Sequence, residues 1–212
     1  MRPQGNLPTG CGEVPGVTTS EIRRLRDRLR SGDPDAFEDL YAAHERMILA
    51  YAYRLTASWP TAEDVTAETF LSAWQTRERL RDEDAPLTPW LYAIATHKAM
   101  NATRSARRRM AFLARSPRSA DVPDFADDAA DRIDAQRAAV RARRLLDALP
   151  RHEAEVLVLS AWAGLSYEET ATALGIPLGT VRSRLSRGRA RLRALIDDAD
   201  PDRAAFLLEG SS

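Results

Sequence analysis

The segment Ile176–Arg193, IPLGTVRSRLSRGRARLR, concentrates cations in a chain whose formal net charge is zero. It contains six arginines and no acid. Guanidinium groups bind phosphates and the edges of bases, whereas a solvated helix normally mixes positive and negative side chains. A solvated basic face and a nucleic-acid-binding face both remain open from charge alone, and the lack of acids favours the second.

A second group of polar residues lies between Trp90 and Arg109. At helical spacing, one face passes from Trp90 and Ile94 through His97 and Asn101 to a run of arginines. Imidazole and amide groups beside arginines are what single-stranded bases and their phosphates require. Trp90 and Tyr92 are candidates for stacking on bases, although aromatic residues at helical spacing more often belong to a core.

Two carboxylates stand one helical turn apart in TAEDVTAETFLSAW, at Asp64 and Glu68. A catalytic pair would need a nucleophile, a metal ligand or a base nearby, and the sequence offers none. A solvated face and a docking face for a basic partner are the remaining interpretations. The expected helix has Thr61 and Asp64 as its cap pair. We expect its core stripe to be Ala67, Phe70, Leu71 and Trp74, and its opposite face to carry Asp64, Val65, Glu68 and Ser72.

Other kinds of chemistry find little support in the composition. Cys11 is the single cysteine, which excludes a disulfide or a cysteine-based zinc site within one chain, and the three histidines are scattered. We therefore expect no metal and no cofactor. The chain has neither a signal-like apolar segment nor an apolar run of membrane-spanning length, so we expect a cytoplasmic protein without a membrane span.

The arginine-rich segment is predicted to be the second helix of a helix-turn-helix. Ser166 and Glu169 form a capping box before a short helix, and Gly175 stands where a left-handed C-cap is needed. A new helix is expected to open near Gly179 and Thr180. Its apolar stripe consists of Val181, Leu185, Gly188 and Leu192. Such a pair presents its second helix to the major groove, and the alternative is an αα-hairpin that only packs.

The rest of the pattern predicts an all-α protein with two small helical domains. We expect a flexible tail over 1–20, a first domain over 21–110, an acidic linker over 111–133, a second domain over 134–197 and a C-terminal tail over 198–212. Thr88 and Pro89 are expected to begin the helix that carries His97. The linker aspartates, whose charge resembles that of a nucleic-acid strand, are Asp121, Asp124, Asp127 and Asp128.

These motifs, in this order and spacing, resemble the small bacterial RNA polymerase sigma factors of the extracytoplasmic-function (ECF) type. The similarity covers roughly residues 30 to 197 and is most specific from LDALPRHEAEV to RARLR. It implies two helical domains, regions 2 and 4, and a dissociable subunit that directs promoter-specific initiation. The implied partners are the clamp and flap surfaces of the polymerase core and promoter DNA, and an anti-sigma factor is a candidate. The implied protein is not an enzyme.

The resemblance also implies three sets of binding residues. The polymerase-binding set is Asp64, Val65, Glu68 and Ser72. The set that reads and melts the −10 element is His97, Lys98, Asn101, Arg104, Arg107, Arg108 and Arg109. The set that reads the −35 element is Thr180, Arg182, Ser183, Arg184, Ser186, Arg187 and Arg189. The linker is expected to thread the channel that nascent RNA later occupies.

The chain departs from the family pattern at His97, where many relatives have asparagine, and this indicates an unusual −10 preference. Two other functions compete with the resemblance. One is an autonomous helix-turn-helix regulator that binds an operator without polymerase. The other is an RNA-processing enzyme, for which the chain has no phosphate-cradling loop or catalytic constellation.

Overall fold

The computed structural model describes residues 19–80, 86–113 and 130–199. Their regular structure is helical, and no strand occurs in these ranges. The helices are α1 (Thr19–Arg30), α2 (Pro34–Thr56), α3 (Trp59–Thr76), α4 (Leu87–Leu113), α5 (Ala130–Asp147), α6 (Arg151–Ala161), α7 (Tyr167–Leu174) and α8 (Leu178–Ala199), with one 3₁₀ turn at Arg77–Arg79. The predicted all-α class is confirmed.

The first domain, α1–α4, is built around α2. Phe37 of α2 meets Phe70 and Trp74 of α3 edge to face, with ring centroids 6.3 and 5.1 Å apart. On α4, the side chains of Leu91, Ala95 and Ala99 lie on one face and are completely buried. Alanines at that stripe let α4 approach its neighbours closely, so the opposite face of α4 keeps a fixed orientation.

The junction between α2 and α3 corrects the predicted cap. The side chain of Ser58, not Thr61, caps α3, because its Oγ accepts from the backbone N–H of Thr61 at 3.4 Å. Ala57 turns the chain at φ 55°, and Pro60 lies in the first turn, where its missing N–H costs no hydrogen bond. The cap pair at Thr61 and Asp64 was therefore wrong by one turn.

Helix α4 also begins earlier than predicted. It starts at Leu87, so Thr88 lies inside the helix, and its hydroxyl bonds to the Nε2 atom of His44 at 3.2 Å. The ends of the predicted linker are helical too, because α4 continues to Leu113 and α5 begins at Ala130. The four linker aspartates, the N-terminal tail up to residue 18 and the C-terminal tail from residue 200 lie outside the described residues.

The second domain, α5–α8, contains the predicted helix-turn-helix. Ser166 and Glu169 cap each other's backbone N–H groups at 3.1 and 2.7 Å, and Gly175 ends α7 in the left-handed conformation at φ 64°. Gly175–Pro177 connect α7 to α8, and Val181 and Leu185 bury the inner side of α8. Helix α8 begins at Leu178, one residue before the predicted start.

The two domains pack against one another. Val158, Leu159, Ala163 and Leu165 of the second domain belong to the same buried cluster as the core of the first. This contact places α6 and α7 along α4, an arrangement that the sequence did not predict. Of the helices in the described ranges, none is both long and apolar enough to cross a membrane.

Candidate nucleic-acid and polymerase interfaces

The outer face of α8 is small and polar in its middle and cationic at its edges. Arg182, Ser183, Ser186 and Arg187 are exposed, as predicted for side chains that reach out from the helix. Arg184 and Thr180 are half-buried, whereas Arg189 is exposed. On the opposite side of α8, Val181 and Leu185 are buried in the core of the second domain. This packing fixes the direction in which the outer face points.

A buried carboxylate in α6 anchors α8. Glu153 is 1% exposed, and its Oε2 atom accepts from Nη1 of Arg191 at 2.8 Å. Its Oε1 atom lies 3.9 Å from Nε of Arg187, which also donates to the carbonyl of Ser183 at 3.3 Å. A Cβ atom at Gly188 would lie 3.4 Å from Cβ of Glu153, an ordinary van der Waals contact, so α6 and α8 lie close together at this position. The sequence analysis missed Glu153, although an acid in an apolar helix opposite an arginine cluster is a detectable signal.

The predicted −10 residues lie along α4 between positions 97 and 109, and their surroundings differ. Arg104, Arg107, Arg108 and Arg109 are exposed along the last turns of the helix. Lys98 pairs with Glu68 of α3, at 3.5 Å from Nζ to Oε2. Tyr92 is buried and meets Tyr51 edge to face at 4.7 Å, so it cannot stack on a base.

Two of the predicted −10 side chains, Asn101 and His97, are exposed and also contact α6. The Oδ1 atom of Asn101 accepts from Nη1 of Arg151 at 2.9 Å. Nε2 of His97 lies 3.6 Å from Oε1 of Glu155, and the same oxygen accepts from Nε of Arg151 at 2.6 Å. A small polar network therefore joins the middle of α4 to the beginning of α6.

Two arginines cap helices of the opposite domain. Arg143 of α5 donates to the carbonyl of Thr56 at the end of α2 at 3.0 Å and to that of Thr103 in α4 at 3.3 Å. Reciprocally, Arg54 of α2 donates to the carbonyl of Trp162 at the end of α6 at 3.3 Å, and its guanidinium lies 5.1 Å from the centre of that indole ring. Cations are favourable at helix C-termini, where carbonyls are left without partners.

The exposed face of α3 differs from the predicted one. Asp64 and Glu68 are exposed and Ser72 is half-buried, but Val65 is 2% exposed and packs in the core. Ala67 and Leu71, predicted to be core, point outward, and Leu71 is 56% exposed. The helix is rotated relative to the prediction because Val65 and Phe70, with the threonines between them, make the inner stripe. The outer face is therefore acidic and apolar together.

The comparisons with known proteins match both domains. The family model "Sigma-70 region 2" matches residues 40–109, and "Sigma-70, region 4" matches residues 139–192. RNA polymerase sigma factor CarQ of Myxococcus xanthus is 35% identical over 82% of this chain and 97% of its own length. The ECF RNA polymerase sigma factor SigL of Mycobacterium tuberculosis is 34% identical over 75% of this chain and 88% of its own. The chain belongs to the ECF sigma factors.

A solved structure extends this similarity to the fold. CnrH in complex with the cytosolic domain of CnrY shares 27% identity and a TM-score of 0.59, over 84% of this chain and 99% of that one. The relatives that match this chain are RNA polymerase sigma factors. In the part of the chain that the structure describes, no group of His, Cys, Asp and Glu side chains could hold a metal ion.

Proposed function

We propose that this sigma factor binds the RNA polymerase core and directs initiation at promoters that it reads at two places. Helix α8 contacts the −35 element in the major groove, and α4 captures and melts the −10 element. The outer face of α3 docks on the core. The observation that carries the proposal is the outward, arginine-rich face of α8, which has no acid up to Arg193. It belongs to a helix-turn-helix in a chain that matches both sigma-70 family models.

The −35 contacts divide by position on α8. Arg182 and Ser183 lie near the helix N-terminus and are exposed, so they are suited to base edges, together with Ser186 and Arg187. Thr180 and Arg184 are partly buried, and with Arg189 they serve phosphate contacts or packing. The carboxylate of Glu153 lies 3.9 Å from Nε of Arg187, on the inner side of α8, and attracts this guanidinium.

The polymerase contact is best assigned to the exposed residues of α3. Asp64 and Glu68 supply negative charge, and Leu71 supplies an apolar contact about one turn after Glu68. Val65 is excluded from this surface because it is buried. An acidic face with an exposed leucine fits a basic partner surface that has an apolar pocket.

An anti-sigma factor remains a proposed partner. Its support is the likeness to CnrH, which was solved in complex with the cytosolic domain of CnrY.

The test is promoter-specific transcription by polymerase core to which the purified sigma factor is added. Promoters are selected from a randomised DNA library by the assembled holoenzyme. We expect initiation that depends on the sigma factor and on two DNA elements. Arg182→Ala should cost ~1–3 kcal/mol at particular −35 base positions, whereas Arg189→Ala should weaken all sequences alike. Binding to operator-like DNA with no initiation on any template would instead support an autonomous regulator.

A further inference from the structure

We propose that a cavity between α2, α4, α5 and α6 binds a small anion that carries a phosphate chain, of which pyrophosphate is the simplest form. Arg104 and Arg107 of α4 are the residues that hold the anion. The cavity has a volume of about 250 Å³. This would be a small-molecule site, so the inference goes beyond promoter recognition and does not depend on it.

Cations outnumber acids around this cavity. Four arginines line it, and Asp147 is the one acid among the described residues of the lining. The four arginines are Arg104, Arg107, Arg143 and Arg151. A cleft lined mainly by charges of one sign has a strong local potential, which concentrates ions of the opposite sign. The lining therefore attracts anions.

Two of the four guanidinium groups are already compensated by the protein. Arg143 donates to two backbone carbonyls at 3.0 and 3.3 Å, and its Nε atom lies 3.7 Å from a carboxylate oxygen of Asp147. Arg151 donates from Nε to Glu155 at 2.6 Å and from Nη1 to Asn101 at 2.9 Å. These contacts fix both side chains in place and leave them little capacity for a ligand.

Arg104 and Arg107 are different, because in the described ranges neither guanidinium has a hydrogen bond or an ion pair. They stand three residues apart on α4, so their side chains lie next to each other on the helix surface and can reach one ligand together. A guanidinium group has five N–H donors in a planar fork that matches phosphate oxygens. A phosphate group carries ~1.5–2 negative charges near pH 7, which balances these two cations.

Other parts of the lining are apolar. Leu55, Leu149 and Ala154 contribute to the cavity and are buried. Walls of low dielectric constant reduce the screening of charge, so an anion is attracted more strongly here than to cations on an open surface. This combination distinguishes the cavity from the remaining arginines at the end of α4, which are exposed and do not line it.

The size of the cavity restricts the ligand. Pockets that enclose drug-sized molecules have volumes of ~300–1,000 Å³, so this cavity is too small to enclose a whole nucleotide. A short phosphate chain fits inside. A nucleoside triphosphate can place its phosphates in the cavity while its base stays outside. Inorganic pyrophosphate and a nucleoside triphosphate therefore share the chemistry that the site recognises, and the experiment separates them.

The experiment is isothermal titration calorimetry of the full chain with sodium pyrophosphate, in a phosphate-free buffer of low ionic strength. We expect one pyrophosphate to bind to each protein molecule. Arg104→Ala/Arg107→Ala should weaken binding by about tenfold or more, because charge-assisted hydrogen bonds are lost. Arg108→Ala/Arg109→Ala is the matched control, since it removes the same charge from the same helix outside the cavity. The control should change the affinity by roughly twofold or less.

A variant of the acid in the lining provides an independent arm in the opposite direction. Asp147→Asn removes a negative charge from the cavity and should tighten pyrophosphate binding by roughly threefold. Asp64→Asn is its control, because it makes the same change of net charge on the exposed face of α3. This control should bind pyrophosphate like the wild type. Circular dichroism spectra check that every variant is folded.

Titration with sodium ATP, without a divalent cation, separates the two sources of the phosphate chain. Tighter binding of ATP than of pyrophosphate would identify a nucleotide, and equal or weaker binding of ATP would identify the inorganic chain. Either result supports the site when the binding depends on Arg104 and Arg107. No binding of pyrophosphate to the wild-type protein, or an equal loss in the two double-arginine variants, would overturn the proposal. Promoter-specific initiation is measured separately, so a failure of the proposed function remains distinguishable.

Discussion

At the scale of single residues, His44 shows how a buried polar group ties two helices together. Its Nδ1 atom bonds to the carbonyl of Leu40 at 2.9 Å, and its Nε2 atom bonds to the hydroxyl of Thr88. Nδ1 must donate to a carbonyl, so Nε2 of the neutral ring accepts from the threonine hydroxyl. Burial lowers the pKa of His44, against a smaller opposing effect of the Leu40 carbonyl.

This environment predicts a pH dependence of stability. Below about pH 6.5, the unfolded chain takes up a proton at His44 before the folded chain does, so the free energy of unfolding falls as the pH falls. The variant His44→Gln should lose less stability than the wild type between pH 7.5 and 5.5 in urea denaturation. Parallel losses in the two proteins would show that the imidazole is not the group responsible.

Glu153 is the second residue whose surroundings set its role. Its carboxylate is removed from water and depends on Arg191 and Arg187 for compensation. Glu153→Gln should lower the free energy of unfolding by ~1–3 kcal/mol, because it leaves a buried group with weaker partners. It should also weaken −35 binding by loosening Arg187. Urea denaturation and DNA titration measure the two effects.

The control for Glu153 is Glu168→Gln, which changes an exposed acid on α7. It should leave both quantities within experimental error of the wild type. If the Glu153 variant and this control had the same free energy of unfolding, the charge of Glu153 would not contribute to stability.

At the scale of elements, Gly188 lies where α8 packs against Glu153 of α6. Gly188 is helical and needs no special backbone conformation. The size of the side chain at this position matters instead, because Glu153 lies next to it. Gly188→Ala should be neutral or stabilising by up to ~1 kcal/mol, since alanine is the better helix former and its Cβ atom makes an ordinary contact. Gly188→Leu should cost ~1–3 kcal/mol through overpacking. Thermal unfolding compares them, and equal melting temperatures would contradict the close approach.

The ends of α7 could be predicted from the sequence, whereas the inward face of α3 could not. The capping box at Ser166 and the C-cap at Gly175 were predicted correctly because each depends on residues within one turn. The face of α3 was predicted wrongly, since Leu71 is exposed and Val65 is buried. Both are apolar, and only the neighbouring helices decide which side of α3 turns inward.

The contacts between domains were beyond sequence reasoning for a related reason. Arg143, Arg151 and Arg54 look like solvated cations in the sequence, and their partners are backbone carbonyls or an amide 40 or more residues away. No local periodicity encodes such pairs. Within the described residues, the side of α8 opposite Val181 and Leu185 is exposed as predicted. The roles of α4 and α8 in reading DNA stay predictions.

At the scale of the whole molecule, residues 114–129 connect α4 to α5. Fully extended, these sixteen positions span at most ~53–58 Å. Promoter elements about seventeen base pairs apart are separated by ~58 Å, so joint reading uses most of this reach together with the width of the domains. Deleting ten of these residues should abolish joint use of the two elements.

Transcription from selected promoters measures that deletion, with the replacement of ten of the same residues by a Gly/Ser sequence as its control. The replacement keeps the length and should retain joint use of the elements.

Replacing Asp121, Asp124, Asp127 and Asp128 with Asn tests the separate expectation that linker charge assists holoenzyme assembly. Unchanged initiation after the deletion would show that the connection does not limit the distance between the domains.

The four tryptophans are at positions 59, 74, 90 and 162. Because of where they lie, their fluorescence emission depends on whether the two domains are packed together. Trp162 lies beside Arg54, and Trp90 lines a cavity with Glu168 and Thr172 of α7, so both belong to the boundary between the domains. Trp59 is already 54% exposed, and Trp74 packs against Phe37 inside the first domain. Separation of the domains would bring water to two of the four indoles and leave the other two as a constant background. A red shift of intrinsic emission would therefore report separation of the two domains in the unsubstituted protein.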